Sequence, residues 1–201
     1  MNLALIDIQS GNLGSVANAL AAAGAADVVV TADADAVRRA DRIVLPGVGA
    51  FGACAASLRA IDGLESSLAE VVLDRGRPFL GICVGMQLMA DAGEELGEHR
   101  GLGWLAGRVR RLQPDTMAAK VPHMGWNDVV PLAEHSLIEP GEAYFLHSYA
   151  FEGHGVIATT DHAGRVAAAI GRDNLLGVQF HPEKSQRYGI ALLERFLQWR
   201  P

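Results

Sequence analysis

Apolar residues along this chain keep two different rhythms, and the change falls near Gly93. Up to that point short apolar runs alternate with helix-length stretches. Leu3–Ile6 reads as a buried strand, Leu13–Ala23 as a helix stopped by Gly24, Val28–Thr31 as a second strand and Asp33–Ala40 as a short helix. Arg42–Leu45 predicts a third strand, Ala50–Arg59 and Leu64–Asp74 two helices, and Phe79–Ile82 a fourth strand that turns sharply into the helix formers Met86–Ala90. Beyond Gly93 the runs shorten and turn residues multiply. Leu105–Leu112, Val129-Val130, Ala143–Phe151, Val156–Thr160, Val166–Ile170 and Leu175–Phe180 predict short strands. Arg172-Asp-Asn174 predicts a hairpin turn, and Ser185–Trp199 a closing helix.

Alternation of strand and helix implies parallel strands joined by right-handed crossovers, whereas closely spaced strands imply antiparallel or mixed pairing. The expected fold is therefore α/β: a mostly parallel central sheet flanked by helices, with added mixed and antiparallel strands in the C-terminal half. A length of 201 residues fits one domain, 1–201. Ligands of parallel sheets gather beyond the carboxyl ends of the strands. The Asp7–Asn12 turn, the Pro46–Phe51 loop and Cys83 are thus expected on one rim.

Composition narrows the partners. The net charge of −6 argues against nucleic acid or an anionic membrane. Ile8 to Ala26 is uncharged, but Gln9, Ser10, Asn12, Ser15, Asn18 and three glycines make it a poor membrane span. The first residues have no basic region, so no targeting segment is expected. The two cysteines, Cys54 and Cys83, lie far apart and suit a reducing cytosol better than a disulfide framework.

Three segments carry chemistry. Gly81-Ile-Cys-Val-Gly85, at the end of an apolar strand, has G-x-C-x-G spacing, the thiol counterpart of a nucleophile elbow. Its glycines would leave room beside a side chain lifted out of the sheet, and the helix that follows would aim its N-terminal dipole at the sulfur. On Cys83 alone the reading as a buried core cysteine wins; with the flanking glycines the two readings stand even. Pro46-Gly-Val-Gly-Ala-Phe51 can expose backbone N–H groups to an oxyanion, or be a plain strand-to-helix turn. It lacks the lysine of a phosphate loop. Cys54, among alanines, reads as core.

Gln179-Phe-His-Pro-Glu183 supplies what a thiol nucleophile needs. His181 would take the thiol proton and pass it to a leaving amine, and Glu183, two residues on along an extended segment, would orient the ring. Zinc deaminases also use His-x-Glu, but their later P-C-x-x-C is missing. The other histidines have no metal spacing, so no metal or cofactor is expected. In Val121-Pro-His-Met-Gly-Trp-Asn127, lying between strands, Trp126 is either a docking residue or packed inward.

Together these motifs resemble the class I glutamine amidotransferases. The resemblance implies Cys83 as nucleophile, His181 as general base and acid, and Glu183 as orienter. It implies an oxyanion hole from Gly47, Val48 and Val84. It also implies glutamine binding by Gly47, Gln87 and the His147-Ser148-Tyr149 segment. Asp7…Ser-Gly-Asn-Leu13, Pro46–Phe51, Pro122-His-Met-Gly-Trp-Asn127, Tyr144–Tyr149 and His181-Pro-Glu-Lys-Ser-Gln186 are similar to one branch, the glutaminase subunits of imidazole glycerol phosphate synthases. That branch implies glutamine as substrate and ammonia passed to a (β/α)8-barrel cyclase subunit in histidine biosynthesis. Trp126, Asn127, Tyr144 and Lys184 would lie at the interface. The alternative is a glutaminase subunit feeding a different ammonia-using synthase. One departure is visible: where the family pattern is Asp-Tyr-Gly-x-Gly-Asn, this chain has Asp7-Ile-Gln-Ser-Gly-Asn12, with Gln9 in place of a glycine.

Overall fold

Asn12 and Asp33 set the starts of the first two helices. Each side chain accepts a hydrogen bond from the backbone N–H three residues on, Ser15 at 3.4 Å and Ala36 at 2.7 Å, which satisfies a donor the helix leaves open. The computed structural model describes residues 1–113 and 119–201. Its first half runs β1 (Leu3–Ile6), α1 (Leu13–Ala22), β2 (Val28–Thr31), α2 (Ala34–Arg39), β3 (Arg42–Gly47), α3 (Phe51–Ala60), α4 (Leu64–Ala69) and β4 (Phe79–Cys83), with a π-helical turn, Glu70–Asp74, after α4. α5 (Val84–Gln87) follows β4 directly. The second half runs β5 (Ala90–Gly93), β6 (His99–Arg100), β7 (Leu105–Arg111), β8 (His123–Pro131), β9 (Gly141–His147), β10 (Tyr149–Gly153), β11 (Val156–Asp161), β12 (Arg165–Arg172) and β13 (Leu175–Val178), then a 3₁₀ turn, Pro182–Lys184, and α6 (Gln186–Gln198).

Among the described residues the strands form two sheets. The larger has the order β2-β1-β3-β4-β13-β12-β11-β8-β9 and the smaller β10-β7-β5-β6. From β2 to β13 the neighbours are parallel, and from β13 to β9 they are antiparallel. β1, β3, β4 and β13 are buried along their whole length, which is why, past Arg42 at the head of β3, they read as apolar runs. No helix among the described residues is long and apolar enough to cross a membrane.

The structure corrects four local expectations. The helix expected over Met86–Ala90 is the single turn α5, and Ala90 begins strand β5 instead. The carbonyls of Leu88, Met89 and Ala90, which a longer helix would have bonded internally, are taken by the N–H groups of Leu102, Gly103, Trp104 and Leu105. Ala143–Phe151 is two strands, because the chain leaves the large sheet at Ser148 and enters the small one as β10. His123–Asn127 does not lie between strands but is the first half of β8. Glu183 lies in a 3₁₀ turn, not in an extended segment.

Candidate active site

Three parallel neighbours, β3, β4 and β13, finish at one edge. Their register sets Gly47 beside Cys83 and Ile82 beside Val178, so the residues after Val178 run on past the sulfur. Cys83 has φ 54° and ψ −111°, a left-handed turn that a side-chain-bearing residue rarely adopts and that lifts its thiol from the sheet. The elbow glycines turn out to serve the backbone more than the sulfur. A Cβ on Gly85 would lie 1.8 Å from the Leu45 carbonyl oxygen, and one on Gly81 would lie 2.6 Å from that of Gly85. With α5 only four residues long, the expected helix dipole at the sulfur shrinks to one turn.

Cys83 opens into a cavity of about 220 Å³. His181 lines the same cavity, and its Nδ1 is 2.8 Å from Glu183 Oε1, which turns Nε2 toward the sulfur. Both side chains are buried. Burial works against a charged ring, but hydrogen bonds with Cys83 and Glu183 and the charges on those partners outweigh it, and His181 is pushed up to about 9. Val48, Val84, Gln87, His147, Ser148, Tyr149 and Lys184 also line the cavity, whereas Gly47 stands behind it, paired with Cys83. Both N–H groups of the Gln87 amide are spent inside the protein, on the Tyr149 carbonyl at 2.9 Å and on Gln179 Oε1 at 3.0 Å.

Two cavity-side features escaped the sequence reading. Glu95 lines the cavity while its Oε2 accepts the Phe51 N–H at the head of α3, 2.8 Å away. The second feature is a row of imidazoles. His147 Nδ1 meets the Tyr149 carbonyl at 2.9 Å, His147 Nε2 meets His123 Nδ1 at 3.0 Å, and His162 stacks on His123 at 4.1 Å. Burial, then the neighbouring imidazoles, holds His123 down to about 3. Burial likewise holds His147 down to about 4, the Tyr149 carbonyl opposing. A spaced set of histidines has no local signature, so only the β8–β9 pairing of His123 with His147 reveals the row.

The Pro46–Gly49 end of β3 is tied from behind. The Ser10 hydroxyl donates to the Val48 carbonyl, and Cys54 Sγ lies 3.4 Å from the same oxygen and 3.2 Å from Ser10 Oγ. The Asp7–Asn12 turn and the Pro46–Phe51 loop thus meet on the rim expected for them. Gln9 sits there at φ 58°, in the left-handed region that a glycine takes without strain and a residue with a side chain rarely does.

The outer face of β8 and β9 is apolar and open: Met124 is 66% exposed, Trp126 48% and Leu146 37%. Trp126 and Tyr144 are cross-strand partners with their rings edge to face at 6.3 Å, and Lys184 Nζ lies 5.9 Å from the Tyr144 ring centre. Leu146 joins this face to the cavity, because its carbonyl oxygen is 4.0 Å from Cys83 Sγ. Asn127 points to the other side of β8, where its amide reaches His123 at 3.1 Å and the Asp161 carbonyl at 2.7 Å.

The model of the glutamine amidotransferase class-I family matches residues 4–199. Full-length relatives carry the name imidazole glycerol phosphate synthase subunit HisH. One from Zymomonas mobilis is 58% identical, covering 99% of this chain and 96% of its own, and one from Rhodospirillum rubrum is 52% identical over all of both. Among solved structures, one described as glutamine amidotransferase superposes with a TM-score of 0.75 at 18% identity, covering 97% of each chain. PurLQS from Thermotoga maritima gives 0.70 at 17% identity, over 98% of this chain and 97% of its own.

Proposed function

The chain belongs to the class I glutamine amidotransferases, among the HisH glutaminase subunits of imidazole glycerol phosphate synthase in histidine biosynthesis, and from that premise we propose how its residues divide the work. Its fold is the class I glutamine amidotransferase fold. Cys83 is the nucleophile, His181 moves the proton and Glu183 orients His181. The thiolate attacks the side-chain amide carbon of glutamine and forms a C–S bond. The amide oxygen takes the negative charge and is held by backbone N–H groups at the Gly47–Val48 strand end and at Val84. His181 gives its proton to the nitrogen, the C–N bond breaks, and ammonia and a thioester result. Water then loses a proton to His181 and attacks the thioester. The C–S bond breaks, giving glutamate and returning the thiolate.

A ring pushed up to about 9 keeps its proton at neutral pH, so the acid needed for ammonia departure is in place before the attack. Gln87, His147, Ser148 and Tyr149 shape the cavity around the amino-acid end of the substrate. Glu95 supplies a carboxylate there for the substrate ammonium.

The partner is a (β/α)8-barrel cyclase, seated on the face formed by Met124, Trp126, Tyr144, Leu146 and Lys184. Trp and Tyr anchors are typical of such surfaces, and this one meets the cavity at Leu146 and Lys184, so ammonia would leave toward the partner. Two free cysteines support a cytoplasmic setting. The observation that carries the proposal is His181 held between Cys83 and Glu183 in a cavity that Leu146 and Lys184 of this face also line. It is tested by ammonia release from glutamine, measured with the chain alone and with a cyclase barrel carrying its ribonucleotide ligand. Activity in the complex that vanishes in Cys83→Ala supports it. Ammonia release that survives Cys83→Ala refutes it.

A further inference from the structure

Gln179 belongs to the Gln-Phe-His-Pro-Glu motif, yet the triad leaves it without a task. Its side chain is wholly buried and stands one residue past the Val178–Ile82 pair, beside the sulfur. Its Nε2 is 3.7 Å from Cys83 Sγ and its Oε1 is 3.0 Å from Gln87 Nε2. An amide can be turned end for end, so the question is what determines which end faces the sulfur.

The answer is the Tyr149 carbonyl, which can only accept. Gln87 must therefore present its NH2 group to it, at 2.9 Å, and the second N–H of that group goes to Gln179. Gln179 must then receive it with Oε1, which leaves its own NH2 for the sulfur. The same carbonyl takes the His147 Nδ1–H, so His147 Nε2 is an acceptor and His123 Nδ1 a donor. His123 Nε2 accepts from Asn127 Nδ2, and Asn127 is fixed independently, donating to the Asp161 carbonyl and accepting the Asp128 N–H at 2.8 Å. Read from Asn127 or from Tyr149, the network gives one polarity.

We propose that Gln179 is a further catalytic residue, which donates an N–H to the Cys83 sulfur and stabilises the thiolate, with Gln87 and the Tyr149 carbonyl setting its direction. This rests on the reading of Cys83 as nucleophile. The thiol proton still goes to His181; Gln179 gives up no proton and supplies a fixed dipole in a water-poor place. The other titratable groups facing the sulfur are His181 with Glu183, then His147, Glu95 and Lys184 across the cavity, and Cys54 behind β3.

The test is the pH profile of Cys83 alkylation by iodoacetamide, read peptide by peptide, together with kcat for ammonia release in the cyclase complex. Gln179→Met keeps the length but has no N–H. It should shift the alkylation midpoint to higher pH and lower kcat roughly 10- to 100-fold, the range for a hydrogen bond to a charged group. Gln179→Glu, which turns an acceptor on the sulfur, should shift the midpoint further. Gln87→Met, which leaves Gln179 in place but frees it to rotate, should give a smaller shift in the same sense and keeps the test open if the Gln179 variants fail to fold. Wild-type profiles and kcat in folded Gln179→Met, or no shift in Gln87→Met, overturn the proposal. Ammonia release that survives Cys83→Ala would instead overturn the nucleophile assignment, and the alkylation shift would still report on Gln179.

Discussion

The carbonyl oxygen of Leu45 lies 1.8 Å from the point where a Cβ on Gly85 would stand. Leu45 is in the fully buried centre of β3 and cannot recede, so the elbow and β3 are fitted to each other through a missing side chain. Gly85→Ala must push α5 off β3 and distort the φ 54° turn at Cys83. Overpacking of this kind costs about 1–3 kcal/mol, and each kcal/mol is worth roughly 2–4 °C at this chain length. The expected result is a melting temperature lower by several degrees and loss of glutamine hydrolysis. Gly14→Ala in α1, where nothing lies within 4 Å of the added carbon, is the control: it should keep glutamine hydrolysis and leave the melting temperature unchanged or slightly raised. A Gly85→Ala chain that melts and works like the parent would show that the elbow yields.

The histidines should give stability a maximum near pH 6.5. His181, raised to about 9, keeps a proton that the unfolded chain gives up near 6.5. Its contribution, up to about 3 kcal/mol, is whole below pH 6.5 and is lost as pH rises toward 9. His123 and His147, held down to about 3 and about 4, act in the opposite sense. Below pH 6.5 the unfolded chain binds protons that the folded one refuses, so stability falls as pH falls. Urea midpoints from pH 5 to 9 should trace this dome, and His181→Gln should flatten its alkaline limb only. An unchanged alkaline limb in that variant would assign the proton to another group.

Legibility followed what each residue answers to. β1, β3 past Arg42, and β4 were readable because a strand covered on both faces is mostly apolar, and Cys83 and His181, which line one cavity, could be picked out as candidates because their motifs are local. β5 was not, since the bonds that stop α5 come from residues 102–105, a dozen or more positions downstream. The polarity of His123 and Asn127 hid the first half of β8, beyond the strand legible at Val129-Val130, because their partners, His147 and Asp161, lie on other segments. Without the strand over residues 123–127 its alternation is invisible too, so Asn127 groups with Trp126 in the sequence although the two face opposite sides. Gln179 was in plain view within a motif, but its task depends on a carbonyl thirty residues earlier.

Trp126 lies on the open face proposed to seat the cyclase. Its ring is half exposed and braced edge to face by Tyr144, so truncation removes contact area without opening the core. Trp126→Ala should leave the melting temperature within about 1 °C, as surface changes do, and weaken cyclase binding by about 2 kcal/mol, roughly 30-fold in Kd. Asp128→Ala, on the same outer face but farther along β8 from the cavity edge, should cost less. Titration calorimetry against the cyclase barrel measures both. Equal affinity for parent and Trp126→Ala would move the interface elsewhere.

The two thiols should behave as differently as their surroundings. Cys83 opens into the cavity beside a histidine that holds a proton. Cys54 is wholly buried in α3; burial pushes its thiol up, with Ser10 opposing only in part, and its sulfur rests on the Val48 carbonyl. The thiolate is the reactive form, so exposure and charge both favour Cys83. Iodoacetamide at neutral pH should place one carbamidomethyl group on the folded chain, at Cys83, with Cys54 at least about 100-fold slower because it reacts only when the structure opens. Cys83→Ala should remain unmodified until unfolded. Ser10→Ala removes the hydroxyl that holds the Val48 carbonyl over Cys54, and should speed labelling of Cys54 by loosening that strand end. Peptide mapping separates the sites. Comparable rates at the two cysteines in the parent chain would mean that the Ser10–Val48–Cys54 tie is open in solution, and that the strand end proposed to stabilise the oxyanion is not fixed from behind.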